Sequence, residues 1–296
     1  MHKFLRAVGF SKIKNRKELT ALITASIQEA TGRSYVTTRD DGIIAEFTKD
    51  FAEDIGIAVC GEFDEEDKFI YEYYYPYLIP SGVSTEEDLN VERHAAQISY
   101  AGLCNEPRVG VTLIFYLLNI VPYIKYENEE NFPIRGTTLS LSALSTKGQI
   151  MMPIAKTKEE KEVAKKKADY RNKLINNARR GDETAIESLT LEDMDLYTSL
   201  SKKIRKNDVY SLVDTYFMPY GVECDHYSVL GEIKETRRVI NRLTKEAVHI
   251  MRINCNDLEF DVCINEVDLL GEPGVGRRFK GNIWMQGTIN YPDSKK

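Results

Sequence analysis

The first regular pattern along the chain is an apolar stripe with the spacing of an α-helix. The stripe consists of Leu19, Leu22, Ile23 and Ile27. Asn15 precedes it at the position of an N-cap, and Glu18 follows three residues later, as in a capping box. Glycine often lies just beyond the end of a helix. The sequence therefore predicts an amphipathic helix that Asn15 caps and Gly32 ends.

After this helix, apolar residues alternate with polar ones, which is the period of a strand. The alternation predicts strands over residues 42–48, 55–63, 68–79, 97–102 and 109–118. Pro76 lacks a backbone N–H, so we expect its strand to lie at a sheet edge or to carry a bulge. The alternation continues over residues 138–153. There we expect a hairpin that turns at Lys147 and Gly148.

Charged residues dominate the chain from about Lys156. Residues 156–180 contain ten Lys or Arg against four Asp or Glu, so this segment is basic whereas the remainder is acidic. Thr157 and Glu160 form a capping box, and Gly181 follows the end of the predicted helix. The apolar stripe of this helix is narrow and consists of Val163, Tyr170, Leu174 and Ala178. We expect it to be mostly exposed to solvent.

Three shorter helices are predicted to follow the basic one. Two begin near Asp182 and Thr190, and a third begins after Asn207. The third has apolar residues at helical spacing, namely Val209, Leu212, Val213, Tyr216 and Phe217. Pro219 and Gly221 should stop it. Residues 222–291 then return to the alternation of strands.

Two pairs of similar segments indicate an internal duplication. Residues 103–110 and 269–276 share Leu, Glu, Pro, Val and Gly at the same positions, and residues 59–63 resemble residues 229–233. Both pairs occur in the same order along the chain. Glu-Pro followed by Gly is also ordinary turn chemistry. Two turns of independent origin are therefore the alternative.

These patterns predict an α+β fold of two related halves with a helical segment between them. Each half should be a helix plus an antiparallel sheet or a partly open barrel. The predicted division is residues 1–155 for the first half, 156–220 for the helical segment and 221–296 for the β-rich second half.

Composition narrows the class of protein. Hydrophobic residues make up 42% and charged residues 29% of the 296 positions, as in folded globular proteins. The formal net charge of −6 argues against bulk binding of nucleic acid, which needs a basic excess. The most apolar run, residues 109–124, is too short to span a bilayer, and the first residues lack the apolar core of a signal peptide. We therefore expect no membrane association.

The cysteines are scattered at positions 60, 104, 224, 255 and 263, with no Cys-x-x-Cys pair. An odd number of scattered thiols predicts a reducing, cytoplasmic location. A metal site can be drawn on paper from Cys224, Asp225 and His226 with His249, Cys255 and Cys263. Their spacing matches no zinc motif, so the sequence predicts neither a metal nor a cofactor.

Four distinctive segments are HKFLRAVGF at residues 2–10, GDETAIESL at 181–189, FMPYGVECD at 217–225 and RRFKGNIW at 277–284. In these segments the chain resembles a family of Gram-positive bacterial proteins that is classified as a domain of unknown function. The resemblance extends over the whole chain. It implies a bacterial cytoplasmic protein, and it supplies no site residues because the family has no assigned activity.

A basic segment near the C-terminus is the candidate ligand site. Arg277, Arg278 and Lys280 lie between two glycines, and Trp284 follows. Guanidinium groups and backbone N–H groups beside glycine suit phosphate or carboxylate, and an indole can stack on a base. Strand alternation would place Trp284 on the same face as Arg278 and Lys280. The alternative is a solvated edge strand that its cations protect from aggregation.

The predicted strand of residues 68–79 carries an aromatic ladder. Alternation places five aromatic residues on one face, namely Phe69, Tyr71, Tyr73, Tyr75 and Tyr77. Such a face would suit stacking on bases or sugars, or contact with a protein partner. Ordinary packing within a sheet explains the same pattern equally well.

No catalytic motif is recognisable, so we infer function only at the level of class. We expect a non-enzymatic binding or adaptor protein whose partner is another protein or an anionic small molecule. One alternative is an enzyme whose site is built from scattered polar residues between the halves. Another is a module that binds nucleic acid or a nucleotide. An enzyme should have a deep cleft with convergent polar groups, whereas an adaptor should expose an aromatic or apolar patch.

Overall fold

Among the described residues, strands provide most of the secondary structure and form two sheets. The computed structural model describes residues 2–38, 42–93, 99–128, 136–154, 158–204 and 213–292. Within 158–204 it describes the side chains of residues 162, 163, 166, 167, 169–192 and 194. Both sheets are largely antiparallel and few helices accompany them. The predicted α+β class is therefore confirmed.

The helices and strands of the described residues have the following bounds. The α-helices are α1 (Arg16–Gln28), α2 (Ile120–Glu127), α3 (Lys158–Arg179) and α4 (Glu183–Ile204), and 3-10 helices cover Lys3–Val8 and Glu266–Asp268. The smaller sheet contains β1 (Gly32–Thr37), β2 (Ile43–Ala52), β3 (Ile55–Phe63) and β4 (Phe69–Leu78). The larger sheet contains β5 (Leu89–Arg93), β6 (Tyr100–Glu106), β7 (Val111–Leu117), β8 (Thr138–Met151), β9 (Tyr216–Pro219), β10 (His226–Ile240), β11 (Ala247–Cys255), β12 (Leu258–Asn265), β13 (Leu269–Leu270) and β14 (Arg278–Asn290).

Helix α1 begins where its capping residues predict. The Asn15 side chain accepts a hydrogen bond from the Glu18 backbone N–H at 2.9 Å, and the Glu18 carboxylate accepts one from the Lys14 N–H at 3.0 Å. The helix ends at Gln28, so the predicted stop at Gly32 is wrong. Gly32 instead opens β1, where a Cβ would lie 2.4 Å from the Thr48 hydroxyl. Close approach of two strands therefore explains this glycine.

The smaller sheet has the order β1-β2-β3-β4, and each neighbouring pair is antiparallel. Its last three strands confirm the predictions for residues 42–48, 55–63 and 68–79. Strand β4 lies at the edge and contains Pro76, as predicted. Glu72 is an extra residue in its pairing with β3, so β4 also carries a bulge.

Five strands of the larger sheet close on one another. The pairings run β8–β12–β11–β10–β14 and return from β14 to β8, which makes a small barrel. The pairing of β8 with β12 is parallel and the other four are antiparallel. The core of the barrel includes the fully buried rings of Tyr227, Phe260 and Phe279.

Strand β14 also pairs in parallel with β7, which extends the sheet through β7, β6 and β5. The Phe115 ring on β7 lies over two glycines, since a Cβ at Gly102 or Gly287 would lie 2.0 Å or 2.4 Å from ring atoms. Strands β6 and β7 occupy the segments predicted as 97–102 and 109–118, although β6 continues to Glu106. Residues 94–98 lie outside the described part of the chain.

A second core joins the smaller sheet to the barrel. The 3-10 helix Lys3–Val8 contacts β4, β8 and β12 and buries Phe4 and Leu5. Gln286 on β14 reaches the edge strand β4. Its amide group donates to the Pro76 carbonyl oxygen at 2.8 Å and accepts from the Leu78 N–H at 3.2 Å. A side chain of the barrel therefore provides hydrogen-bond partners for backbone groups at the edge of the smaller sheet.

Residues 138–151 form one long strand, so the predicted hairpin at Lys147 and Gly148 is wrong. Strand β14 pairs with β8 along this whole length, and Thr146 is an extra residue near the expected turn. A Cβ at Gly148 would lie 2.5 Å from the Phe279 ring. The glycine thus makes room for an aromatic ring and forms no turn.

Helices α3 and α4 form a hairpin, and Gly181 follows α3 as predicted. Asp182 caps α4 by accepting a hydrogen bond from the Thr184 N–H at 3.0 Å. Helix α4 continues through Thr190, so the predicted start of a separate helix there is wrong. The Thr190 hydroxyl donates instead to the Ile186 carbonyl oxygen at 2.8 Å, as threonine does in a helix interior.

No described side chain of α3 is buried, which confirms the prediction of a mostly exposed helix. The predicted capping box at Thr157 and Glu160 lies outside the described side chains. Residues 205–212 of the third predicted helix also lie outside the described part. Its last residues form strand β9 on β10, so that part of the prediction is wrong. The Phe217 ring packs there against the Tyr227 ring, with 4.5 Å between the ring centroids.

None of the described helices combines the length and apolar character that crossing a membrane requires.

The two segments of the proposed duplication differ in their strand pairing. Residues 59–118 contribute to both sheets, whereas residues 229–289 contribute to the larger sheet alone. Glu106 ends a strand of the β6–β7 hairpin, whereas Glu272 lies between β13 and β14, which both pair with β8. The structure does not confirm the duplication. The division at residues 155 and 220 stays a prediction, although β8 pairs with β12 and β14 across it.

Candidate functional site

A cleft of about 1070 Å³ opens between the barrel, the β6–β7 turn and helix α3. It is lined by residues 107–110, 152–154, 171, 172, 175, 214, 215, 232, 234, 254, 256, 257 and 275–278. Its volume is at the upper end of ligand pockets, which span roughly 300–1,000 Å³. The cleft is large enough for a ligand well above the size of a single phosphate.

An ion pair between Glu106 and Arg108 builds one wall of the cleft. Arg108 donates to both carboxylate oxygens of the buried Glu106, at 2.7 Å and 2.6 Å. It also donates to the carbonyl oxygens of Asp257 at 3.0 Å and Ser84 at 2.9 Å. Burial alone would raise the pKa of Glu106, but the hydrogen bonds from Arg108 hold that pKa below its ordinary value. Arg108 thus ties the β6–β7 turn to two other segments.

Arg277 and Arg278, two of the predicted site residues, lie in the cleft. Arg278 is 6% exposed, and its guanidinium donates to the carbonyl oxygens of Met152 at 3.0 Å and Val213 at 2.9 Å. Burial lowers the pKa of Arg278. Arg277 is half-buried and donates to the Glu272 carbonyl oxygen at 2.7 Å. A guanidinium has five N–H donors, which is more than this bond uses.

Further cations reach the cleft from other elements. Lys234 on β10 lies 3.1 Å from the Glu232 carboxylate, and Arg171 on α3 lies 3.5 Å from that of Glu192 on α4. The charged lining is then five cations, Arg108, Arg171, Lys234, Arg277 and Arg278, and three acidic residues, Asp214, Glu232 and Asp257. The lining residues alone have a positive balance in a chain whose net charge is −6, and two of these cations, Arg108 and Arg171, pair with carboxylates outside the lining.

Lys280 and Trp284 are not part of the cleft lining. Both share a face of β14 with Arg278, as predicted, because the β14–β10 register is unbroken from residue 278 to 284. Trp284 is 4% exposed, and its indole N–H donates to Asp225 Oδ2 at 2.6 Å. Its ring stacks on Phe4 at 5.3 Å. The indole is therefore part of the core between the barrel and the smaller sheet.

The aromatic ladder of β4 does not lie on one face, so that prediction is wrong. The bulge at Glu72 places Tyr71 opposite Gly61 but Tyr73 opposite Cys60. Neighbouring residues of β3 point to opposite sides. Phe69 and Tyr71 therefore face away from Tyr73, Tyr75 and Tyr77. Tyr75 and Tyr77 are buried, Phe69 and Tyr73 are partly buried, and Tyr71 is exposed.

The buried tyrosines of β4 bind carboxyl groups of β2. The Tyr75 hydroxyl donates to Glu46 Oε1 at 2.5 Å, and the Tyr77 hydroxyl donates to Asp50 Oδ1 at 2.5 Å. Glu46 is buried, and this burial raises its pKa. The contacts cross the sheet from β4 over β3 to β2. They act within the fold rather than at a surface.

The residues that could be drawn as a metal site are dispersed. The Asp225 carboxylate binds the Trp284 indole, and its Oδ1 lies 2.9 Å from His226 Nδ1. Cys224 is exposed, whereas Cys255 and Cys263 are buried in different cores. Within the described ranges, no group of three His, Cys, Asp or Glu residues is arranged to hold a metal ion.

The sequence does not mark Arg108, Arg171 and Lys234 as cleft residues. The two similar segments nevertheless contain a signal for part of the cleft. Residues 107–110 of the first segment and 275–276 of the second both line the cleft. Their similarity is therefore also consistent with two turns that face one shared cavity.

A comparison with protein-family models covers almost the whole chain. The family described as "Domain of unknown function, E. rectale Gene description (DUF3881)" matches residues 5–287. A search of curated proteins and a search of solved structures found no match. The family match confirms the resemblance to a domain of unknown function over nearly the full length. The chain therefore belongs to the DUF3881 family.

Proposed function

We propose that this protein binds an anionic small molecule in its cleft. The observation that carries this proposal is the convergence of five cations on one cavity in an otherwise acidic chain. Arg108 lies in the β6–β7 turn, Arg171 in α3 and Lys234 in β10, whereas Arg277 precedes β14 and Arg278 is its first residue. Cations that line a cavity focus the electrostatic potential there, and this potential attracts an incoming anion.

The cleft lining combines apolar and cationic side chains, which narrows the ligand class. Met152, Ile154 and Val275 supply apolar surface beside the cations. An organic anion with an apolar part, such as a nucleotide or a phosphorylated metabolite, would use both. Arg277 and Lys234 are the cations that we expect to contact it, because the bonds of Arg108 and Arg278 hold the fold together.

The test is a thermal-shift screen with ADP, inorganic pyrophosphate and citrate, followed by calorimetry on any probe that stabilises the wild type. Arg277→Ala and Lys234→Ala should each weaken affinity about tenfold or more. The reason is that a hydrogen bond to a charged group contributes about 1.5–3 kcal/mol. Lys17→Ala, which removes an exposed cation of α1, is the matched control and should leave affinity unchanged.

Two results would contradict this proposal. Equal affinity of the wild type and the Arg277 and Lys234 variants would place the anion outside the cleft. Binding that is lost equally in the Lys17 variant would indicate attraction to charge in general. Salt should weaken binding of the anion both in the cleft and at unspecific surface charges, so salt dependence does not distinguish the two.

We also infer a reducing, cytoplasmic location. All five cysteines are free thiols, and four of them are buried. This pattern supports a compartment in which disulfides do not form.

A further inference from the structure

The α3/α4 hairpin places a basic helix beside an acidic one. Helix α3 carries eight Lys or Arg against four Asp or Glu, and α4 carries five Asp or Glu against two Lys. Within the chain, Arg171 of α3 and Glu192 of α4 lie 3.5 Å apart. The two helices therefore carry opposite net charges and attract each other.

Helix α3 has an exposed stripe of apolar and basic residues. Val163, Lys166, Tyr170 and Lys173 recur at intervals of three and four, which places them on one face. Val163 is 67% exposed and Tyr170 is 53% exposed. The intramolecular contact with α4 uses another side of the helix, where Arg171 lies. Within the described part of the chain, Val163 and Tyr170 are thus left exposed beside these cations, whereas Leu174 further along the helix is partly buried.

Helix α4 has the complementary stripe of apolar and acidic residues. Glu183, Ile186, Glu187, Leu191 and Met194 share one broad face. Leu191 is 58% exposed and Met194 is 63% exposed, whereas Ala185 on the opposite face is buried. Large apolar side chains gathered on one exposed helix face are typical of interaction surfaces.

We propose that this hairpin is a homodimer interface, in which α3 of one copy packs against α4 of the second. One hairpin carries both an apolar stripe with cations and an apolar stripe with carboxylates. A two-fold axis would therefore match each stripe with its complement twice. A partner with a single sign of charge would match only one of the two helices. This complementarity identifies a second copy of the chain as the occupant.

The mass of the full chain in solution tests the proposal. Light scattering after size-exclusion chromatography should give twice the 33.9 kDa of one chain. Tyr170→Glu and Leu191→Glu should each raise the dissociation constant of the dimer about tenfold or more, since central apolar contacts dominate interfaces. Val222→Glu is the matched control. It changes a side chain that is 98% exposed outside the hairpin, and it should leave the dimer intact.

A charge exchange separates the interface from the stability of the hairpin. One variant, Lys166→Glu/Lys173→Glu, makes the α3 stripe acidic, and another, Glu183→Lys/Glu187→Lys, makes the α4 stripe basic. Each variant alone places like charges across both helix pairs and should be monomeric. An equimolar mixture restores opposite charges at both pairs and should form a heterodimer. An unfolded hairpin could not be rescued by mixing.

Several outcomes would overturn the proposal. The first is a wild type that stays monomeric at all concentrations tested. The second is a wild-type dimer that the Tyr170 and Leu191 variants leave intact. The third is a mixture of the two charge variants that remains monomeric although the wild type dimerises.

Discussion

The ion pair of Glu106 and Arg108 makes a quantitative prediction about stability. Glu106→Gln removes the negative charge but keeps the shape, so the Arg108 guanidinium loses its charged partner. The side chain of Glu106 is 0% exposed and that of Arg108 is 25% exposed. Removing one partner of a buried pair costs about 3–5 kcal/mol. Water reaches part of Arg108, so we expect the lower end, about 3 kcal/mol, or on the order of 100-fold in the folding equilibrium.

Urea unfolding followed by the fluorescence of the single Trp284 measures this change. Glu87→Gln, at an exposed carboxylate nearby, is the matched control and should change stability little. In the double variant Glu106→Gln/Arg108→Met, no unpaired charge remains. We therefore expect part of the lost stability to return. A loss below about 1 kcal/mol in Glu106→Gln would refute the view that this pair supports the cleft wall.

The pH dependence of stability provides a second test of the ion pair between Glu106 and Arg108. The folded-state pKa of Glu106 is lowered, so its contribution is complete above the unfolded pKa of about 4.3. It is lost as the pH falls through the lower folded pKa. The difference in stability between wild type and Glu106→Gln should therefore be constant from pH 7 to about 5 and should shrink below about pH 4. If the stability difference between wild type and Glu106→Gln stayed constant below pH 4, the stabilising role of the ionised Glu106 would be contradicted.

Two further predictions follow from burial and close packing. Cys224 is the exposed thiol among five. Maleimide labelling of the native protein, read by mass spectrometry, should therefore give a single adduct that Cys224→Ser abolishes; rapid labelling of further thiols would contradict the burial. Gly148→Ala should destabilise the barrel by about 1–3 kcal/mol, because its Cβ would lie 2.5 Å from the Phe279 ring. The double variant with Phe279→Leu should recover part of that loss in urea unfolding, and no recovery would mean that the ring is not the cause.

Local patterns predict strands well and their partners poorly. The alternation of residues locates β2, β3 and β4 because each strand has its own period and ends in turn residues. A bulge such as that at Glu72 depends on the register with a neighbouring strand, which alternation within one strand does not contain. For this reason alternation predicts Phe69 and Tyr71 on the same face as Tyr73, Tyr75 and Tyr77, whereas they lie on the opposite face.

Glycine illustrates a second limit of local reasoning. Beside Lys147, Gly148 has the composition of a hairpin turn, yet its role is to admit the ring of Phe279, which is 131 residues later in the chain. The candidate site shows the same limit. Arg277 and Arg278 form a visible basic cluster, whereas Arg108 is an isolated cation and the arginines that follow Lys234, Arg237 and Arg238, do not line the cleft. Only the closure of the barrel beside the β6–β7 turn brings Arg108 and Lys234 to the same cavity as the basic cluster.

The path of β14 through the barrel has a consequence for how the chain folds. This strand pairs with β8, β10 and β7, and Asn290 bonds to the Thr138 hydroxyl across 152 residues of sequence. Such long-range closure is slow because the loop must lose its entropy before the contacts form. Until β14 arrives, one edge of the fourteen-residue β8 has no partner along its length, and a free edge of this kind can pair with other chains. We therefore expect β8 to be prone to pairing with other chains in the interval between its emergence from the ribosome and the arrival of β14.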